Sequence, residues 1–206
     1  MNIKRVDGYE DVRFSQVVLA QHGAYEIDEE PYEAEIVDPD CAVIRGKDSD
    51  KYFSLIKEFR FHAPHISRFI DVNGTLILKF LPSQRFNLPL ALIQPSQFYV
   101  SSRKLEAVRS FIQKAEDIVV PVIRWKGRYI SLDGHTRLYV AYERGWKTVH
   151  AVLSAVDAWV WKFVAEAEKR GIYQPQDLQV VPHREYEIYW YAFCDKMQQK
   201  IFNHTD

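Results

Sequence analysis

Between residues 24 and 46, apolar and polar side chains alternate along the chain. An alternation with a period of two is typical of β-strands that bury one face and expose the other. Turn signals that contain proline interrupt the alternation at Pro31 and at Pro39. The pattern therefore predicts a short antiparallel meander in this part of the chain.

The residues that follow change to a helical spacing and then return to a strand-like one. The helical spacing places four side chains on one face: Phe53, Ile56, Phe59 and either Phe61 or His62. Asn73-Gly74 is the preferred sequence of a hairpin turn, so residues 68–72 and 75–80 are predicted to be its strands. Together these elements predict an N-terminal antiparallel, β-rich subdomain that covers residues 1–87.

From about residue 88 the pattern becomes an alternation of strands and helices. A helix is predicted to start at Ser101 or Ser102, which are good capping residues, and to bury Leu105, Val108, Phe111 and Ile112. A second helix, over residues 135–145, turns Leu138 and Ala141 inward and ends at Gly145. The predicted strands lie at residues 117–125, 129–133 and 147–153.

The last fifty residues are predicted to be helical. Asp157 is suited to cap the first of these helices and Gly171 to end it. Residues 186–193 are rich in aromatic side chains, which at helical spacing form either core or a packing face for another subunit. The predicted fold class is α+β, with a β-rich portion at residues 1–87, an α/β domain at 88–156, and C-terminal helices at 157–206 packed on it.

Composition narrows the classes of partner. The chain has 206 residues, of which 47% are hydrophobic, and a formal net charge of −1. It carries no basic excess of the kind that nucleic-acid-binding proteins show, so nucleic acid is not an expected partner. No apolar run approaches the ~20 residues that cross a bilayer. No apolar segment follows the first charged residues, and Cys41 and Cys194 are far apart, so we expect a cytoplasmic protein.

Five consecutive residues, Asp133-Gly134-His135-Thr136-Arg137, lie where a predicted strand runs into a predicted helix. The first N–H groups of a helix have no intrahelical acceptor, and the helix dipole favours an anion there. Gly134 permits a tight turn, His135 and Thr136 add donors, and the Arg137 guanidinium suits phosphate oxygens. A carboxylate such as Asp133, placed beside a phosphate, can hold a metal ion or accept a proton from an attacking hydroxyl.

A simpler interpretation of the same five residues remains open. Asp133 could be the N-cap of the helix, Gly134 a turn residue, and Arg137 one partner of a surface ion pair. Aspartate is among the preferred N-cap residues. The five residues alone do not decide between a phosphate cradle and an ordinary start of a helix.

The elements around this motif resemble the ParB/sulfiredoxin superfamily over about residues 88–153, about a third of the chain. The shared pattern is an Ile-x-Pro strand, a helix, a proline-containing strand, a short turn, a strand that ends in Gly-x-x-Arg, an alanine-containing helix, and a glycine before a final strand. The positions that match are Ile93, Pro95, Leu105, Pro121, Asp133, Gly134, Arg137, Ala141 and Gly145.

The resemblance implies a nucleotide-binding protein. The phosphates of ATP, ADP or CTP would lie on Gly134, His135, Thr136 and Arg137, and Asp133 would be a magnesium ligand or a catalytic base, with His135 beside it. The motif is similar to the Asp-Gly-His-His-Arg of the free-serine kinases of this superfamily, in which the aspartate helps to activate the substrate hydroxyl. This similarity predicts a small-molecule phosphotransferase or nucleotide hydrolase with a small, hydroxyl-bearing substrate.

The chain also departs from the proteins that it resembles. The kinases use a glutamate near the Ile-x-Pro strand, where this chain has Ser96 and Gln97. Sulfiredoxins have a cysteine two residues before the arginine, where this chain has His135. ParB proteins have a helix-turn-helix module, for which residues 160–181 are a poor match. The alternative is therefore a non-catalytic adaptor or regulatory protein that uses the domain for nucleotide sensing or protein–protein interaction. A homo-oligomer is one possible assembly, and DNA binding is the least supported function.

Overall fold

A computed structural model of the chain describes residues 1–155 and 160–202. The fold is α+β, as predicted, and it divides into two compact units, Met1–Arg85 and Phe86–Asp206. The division lies close to the position at which the sequence pattern changes from alternating strands to strand–helix alternation. Each unit has its own sheet and its own hydrophobic core.

Unit 1 is a six-stranded sheet whose strands lie in sequence order. The elements are β1 (Ile3–Arg5), α1 (Gln16–Ala20), β2 (Ala24–Ile27), β3 (Glu30–Asp38), β4 (Cys41–Gly46), α2 (Tyr52–His62), β5 (Arg68–Ile70) and β6 (Leu76–Lys79). The predicted meander is confirmed by the antiparallel pairing of β2, β3 and β4. The prediction of a wholly antiparallel sheet was wrong, because α2 returns the chain so that β5 pairs parallel with β4.

Helix α2 covers one face of this sheet through Leu55, Ile56 and Phe59, which are buried among the sheet side chains. The predicted apolar stripe was wrong at Phe53, which is 63% exposed, because the helix turns the Leu55 side toward the sheet. The predicted hairpin at Gly74 is confirmed: β5 and β6 are antiparallel, and Gly74 has a φ of 80°.

Unit 2 contains a five-stranded mixed sheet in the order β7-β12-β10-β11-β8. Its elements up to the last sheet strand are β7 (Arg85–Pro89, which begins at the boundary), β8 (Ile93–Pro95), β9 (Tyr99–Ser101), α3 (Ser102–Phe111), β10 (Val119–Trp125), β11 (Arg128–Ser131), α4 (His135–Glu143) and β12 (Thr148–Leu153). Strand β10 pairs parallel with β12 and antiparallel with β11, and β11 pairs parallel with β8. The predicted cap of α3 is Ser101, whose hydroxyl accepts from the Lys104 amide.

Helices pack on both faces of this sheet. Val120 and Val122 of β10 lie in the larger core with the inward residues of α3 and α4, which include the predicted Leu138 and Ala141. Ile130 of β11 lies in a smaller cluster with α5 on the other face. The alternation of side chains along a strand explains this division. The predicted stripe of α3 was wrong at its end, where Phe111 is 37% exposed.

The C-terminal part continues with α5 (Val160–Lys169), β13 (Gln179–Val181), α6 (His183–Tyr186), a π-helical turn (Glu187–Tyr191) and α7 (Ala192–Phe202). The predicted cap Asp157 lies outside the described residues. Strand β13 pairs parallel with β9, so a strand stands where a helix-turn-helix module would need its second helix. In the described part of the chain, every helix is too short or too polar to cross a membrane.

Candidate functional site

Helix α4 starts at the predicted motif, and its N-cap position is occupied by Gly134 rather than by Asp133. Gly134 has a φ of 79°, in the left-handed region that glycine adopts without steric cost. A Cβ at this position would lie 2.8 Å from Cγ1 of Val120 and 2.9 Å from Nη2 of Arg137. Both the backbone conformation and the packing therefore require glycine here.

Arg137 lies one helical turn further on, and its guanidinium returns over the glycine turn. Nη1 donates to the carbonyl oxygen of Val119 at 2.9 Å, and Nη2 lies 3.4 Å from Oδ2 of Asp133. The side chains of Arg137 and Asp133 are 22% and 27% exposed. The short bond fixes the guanidinium to the start of β10, and the partial exposure of the side chain keeps part of it in contact with solvent.

His135 faces the interior and is only 5% exposed. The Ser96 amide donates to its Nε2 at 3.2 Å, so Nε2 is unprotonated and the ring proton resides on Nδ1. Ser96 Oγ donates to the carbonyl oxygen of Ser131 at 2.7 Å. The Ser131 backbone also hydrogen-bonds to the His135 imidazole. Burial lowers the pKa of His135 to about 4, against an opposing effect of the Asp133 charge. The imidazole is neutral at neutral pH and ties α4 to β8.

The five predicted site residues thus divide into two groups. Asp133, Thr136 and Arg137 are partly exposed around the start of α4, whereas Gly134 and His135 are buried beneath it. With both ring nitrogens engaged, a ligand contact of His135 would require these hydrogen bonds to change. The N–H groups of the first helical turn, which have no acceptor within the helix, and the Arg137 guanidinium supply the positive end of the site, and Asp133 supplies the negative end.

The same geometry limits how a metal ion could bind. Within residues 1–155 and 160–202, no group of three or more His, Cys, Asp or Glu side chains is arranged to hold one. Asp133 is a single carboxylate, which fits the way Mg²⁺ binds when most of its ligands are water and substrate phosphates. Magnesium at this turn would therefore depend on a phosphate ligand rather than on a protein cage.

Sequence reasoning identified the motif but not its supporting residues. Gln97, the neighbour of Ser96, donates to the carbonyl oxygen of Tyr99 and lies 3.5 Å from the Tyr186 hydroxyl. The sequence shows Ser96 only as a non-acidic residue, whereas in the structure it holds the imidazole of His135. Val119 gave no signal, because its contribution is a backbone carbonyl, and a carbonyl is present at every position.

The aromatic segment at the C-terminus is mainly a packing element of unit 2. Trp190 and Phe193 lie against the larger core and surround the ring of Phe98. Ile188 and Tyr189 point outward and are 56% and 49% exposed. Part of the segment therefore belongs to the core, which is one of the two predicted alternatives. Its two other large side chains lie at the surface.

The fold and the site together define an α+β protein with a glycine turn and an arginine at the start of a helix. No family model matches the sequence, and no curated protein matches it. Among solved structures, the chain is similar to the crystal structure of protein Atu1540 from Agrobacterium tumefaciens, with 16% sequence identity and a TM-score of 0.37. The match covers 55% of this chain and 70% of that one.

Proposed function

We propose that the protein binds a phosphate-bearing nucleotide at the turn from Asp133 to Arg137. The observation that carries the proposal is the position of the Arg137 guanidinium, which lies directly over Gly134 at the start of α4. A helix N-terminus and a guanidinium that face the same point are complementary to an anion with several oxygens. ATP, ADP and CTP are the candidate ligands, with magnesium between the phosphates and Asp133.

Two contacts of the Arg137 guanidinium support an anionic ligand such as phosphate. Nη1 of Arg137 is held by Val119, which orients the guanidinium plane, and Nη2 lies 3.4 Å from Oδ2 of Asp133. A phosphate oxygen can take the place of Asp133 at Nη2 without disturbing the bond to Val119. Asp133 is then released toward a metal ion or the hydroxyl of a small substrate, the arrangement that a phosphotransferase or nucleotide hydrolase needs.

A specific observation favours the second candidate, a non-catalytic adaptor or regulatory protein that senses nucleotide. His135 is neutral and held by Ser96, and Gln97 occupies the place of a second acid. These contacts leave Asp133 as the one carboxylate in the motif for acid–base chemistry. We therefore propose nucleotide binding as the primary function and phosphate transfer as an additional activity that would depend on Asp133.

We further propose that the protein works in the cytoplasm. Cys41 is buried, Cys194 is partly buried, and both are free thiols. Burial raises the pKa of the Cys194 thiol to about 12, so that it stays protonated and unreactive. Free, protonated thiols fit a reducing compartment.

A thermal-shift screen of the purified protein tests the primary proposal. ATP, ADP, CTP and GTP are added with and without magnesium, and inorganic phosphate serves as the reference anion. A nucleotide that binds only the folded state stabilises it by ~2.7 kcal/mol at a hundredfold excess over its Kd. The proposal predicts a concentration-dependent rise in Tm for at least one nucleotide, and no rise with any of them would refute it.

Release of inorganic phosphate separates the two candidates once a nucleotide binds. A kinase without its acceptor often transfers phosphate slowly to water, so the assay needs no known substrate. Magnesium-dependent release that disappears in Asp133→Asn supports the enzyme. Tight binding without release by the wild-type protein supports the adaptor.

A further inference from the structure

A second group of charged and aromatic side chains lies on the hairpin between β10 and β11. Residues 124–128, Arg-Trp-Lys-Gly-Arg, hold three cations and no acid in a chain whose net charge is −1. Together with Tyr129 they line a groove of about 500 Å³. The groove is open to solvent rather than enclosed.

Two of the three cations are free to receive an anion. Arg124 and Lys126 are exposed, and no carboxylate in the described part of the chain pairs with either of them. Arg128 is different, because its guanidinium donates to the carbonyl oxygens of Tyr173 at 2.5 Å and Ala91 at 3.5 Å. Arg128 therefore fixes the hairpin to neighbouring loops of the same unit, whereas Arg124 and Lys126 contribute positive potential at the exposed end of the hairpin.

Aromatic rings lie beside these charges. Arg124 is paired across the hairpin with Tyr129, so the two side chains share one face of the ribbon. On the other face, Trp125 stacks on Trp161 with ring centroids 4.1 Å apart, and Nζ of Lys126 lies 4.8 Å from the Trp125 ring. Both Trp125 and Tyr129 are only partly buried. The groove thus offers planar apolar surface next to free cations, the combination on which nucleobases stack while phosphates are neutralised.

The backbone of the turn holds Lys126 in place. Lys126 and Gly127 both have positive φ, at 45° and 78°, which is the conformation of a tight two-residue hairpin turn. Asn, Asp or Gly usually occupies the first position, because a long side chain there has a steric cost. The lysine therefore occupies a position where local conformational preference does not select it.

We propose that this hairpin groove binds a nucleoside phosphate unit, with the phosphate on Arg124 and Lys126 and the base against Tyr129, which shares a face of the hairpin with Arg124. The unit is either a free nucleotide or one residue of a single-stranded nucleic acid. The groove is separate from the turn at Gly134, because the two lie at opposite ends of β11, whose four residues rise roughly 10 Å. The inference does not depend on the function proposed for that turn.

Fluorescence anisotropy with labelled oligothymidylate tests the groove, with unlabelled oligothymidylate, ATP, thymidine monophosphate and inorganic phosphate as competitors. The double variant Arg124→Gln/Lys126→Gln should weaken binding at least tenfold. The control Lys114→Gln/Lys147→Gln, which removes the same charge from exposed lysines of the same unit, should leave binding unchanged. Two phosphate contacts predict a slope of log K against log salt of about −1.4 for a single strand.

The competitors identify the source of the ligand. Displacement by a mononucleotide identifies a free nucleotide, and displacement by oligonucleotide alone identifies a single strand. Arg137→Ala should keep this binding, which distinguishes the groove from the turn at α4. Binding by neither probe, equal binding in the double variant and its control, or equal competition by inorganic phosphate would each overturn the proposal. Circular dichroism verifies that the exposed substitutions leave the fold intact.

Discussion

The backbone amide of Ser96 donates a hydrogen bond to Nε2 of His135 at 3.2 Å, and it thereby joins the end of β8 to the first turn of α4. The bond exists only while Nε2 is unprotonated. The start of the helix, and with it the orientation of Gly134 and Arg137, is therefore linked to the protonation state of one buried imidazole.

This linkage predicts that stability falls on acidification. The pKa of His135 is about 4 in the folded protein, because the ring is buried, and 6.5 is its ordinary value. Between these values the unfolded state binds more protons, so stability is fully present above the unfolded pKa and decreases as pH falls toward the folded one. We expect His135 to account for a loss of about 3 kcal/mol from pH 7 to pH 4.

Urea unfolding of the wild-type protein and of His135→Gln measures the contribution of His135 to stability. Both proteins are unfolded at each pH in the absence of magnesium. The difference in unfolding free energy between the two proteins should shrink as pH falls, since the amide does not titrate in this range. A difference that stays constant from pH 7 to pH 4 would show that the imidazole is not buried as described.

Gly134→Ala should destabilise the protein more than any open-space glycine substitution in unit 2. The left-handed backbone costs a side chain about 1–2 kcal/mol, and a Cβ 2.8 Å from Val120 adds overpacking of about 1–3 kcal/mol. Gly145→Ala is the matched control at the other end of α4, with a φ of 69° and no atom within 4 Å of the new Cβ. Thermal or urea unfolding of both variants isolates the contribution of packing at Gly134. Equal losses of stability in the two variants would exclude such a contribution.

Arg137→Ala should weaken nucleotide binding at least tenfold, because a hydrogen bond between charged groups contributes about 1.5–3 kcal/mol. It should also lower stability by about 1–3 kcal/mol, since the Val119 carbonyl loses its donor. Calorimetry at a temperature well below the Tm separates the two effects. Arg109→Ala, which removes an exposed ion pair with Glu143, is the control and should bind normally. Equal affinities of the two variants would remove Arg137 from the site.

Asp133→Asn distinguishes a catalytic or metal-binding carboxylate from a structural one. If Asp133 acts on a metal ion or hydroxyl, the variant should lose phosphate release while nucleotide affinity is kept or increased, because a negative charge beside the phosphates is gone. Stability should change by less than about 1 kcal/mol, since the ion pair with Arg137 is long and partly exposed. Phosphate release at the wild-type rate in Asp133→Asn would exclude the catalytic role.

Several elements of the fold follow directly from local sequence patterns. The start of α4 was predictable, because Gly134 and the apolar spacing after it are both local signals. The strands on either side of Lys126-Gly127 were predictable for the same reason. The pairing of β9 with β13 was not, because each has only three residues and the pairing depends on a contact between distant parts of the chain.

The candidate site shows the same limit in its polar contacts. The sequence identified Arg137 and Asp133 as partners of a possible ligand, and the ion pair between them matches the simpler interpretation equally well. The burial of His135 could not be derived from the motif, because it depends on where β8 places Ser96. Local sequence thus gives the chemical groups, whereas the positions of neighbouring strands decide which groups face solvent.

The contact between Ser101 and His183 has a consequence for the order in which the chain folds. The Ser101 hydroxyl and Nδ1 of His183 are 2.9 Å apart and 82 positions distant in sequence, next to the pairing of β9 with β13. On the ribosome, unit 1 has all the strands of its sheet before unit 2 is complete, and N-terminal domains generally fold first during synthesis. Strand β9, in contrast, must wait for β13 to be synthesised. During that interval the edge of β9 is unpaired. We therefore expect chaperones to bind most to nascent chains that are stalled before residue 179, where β13 begins.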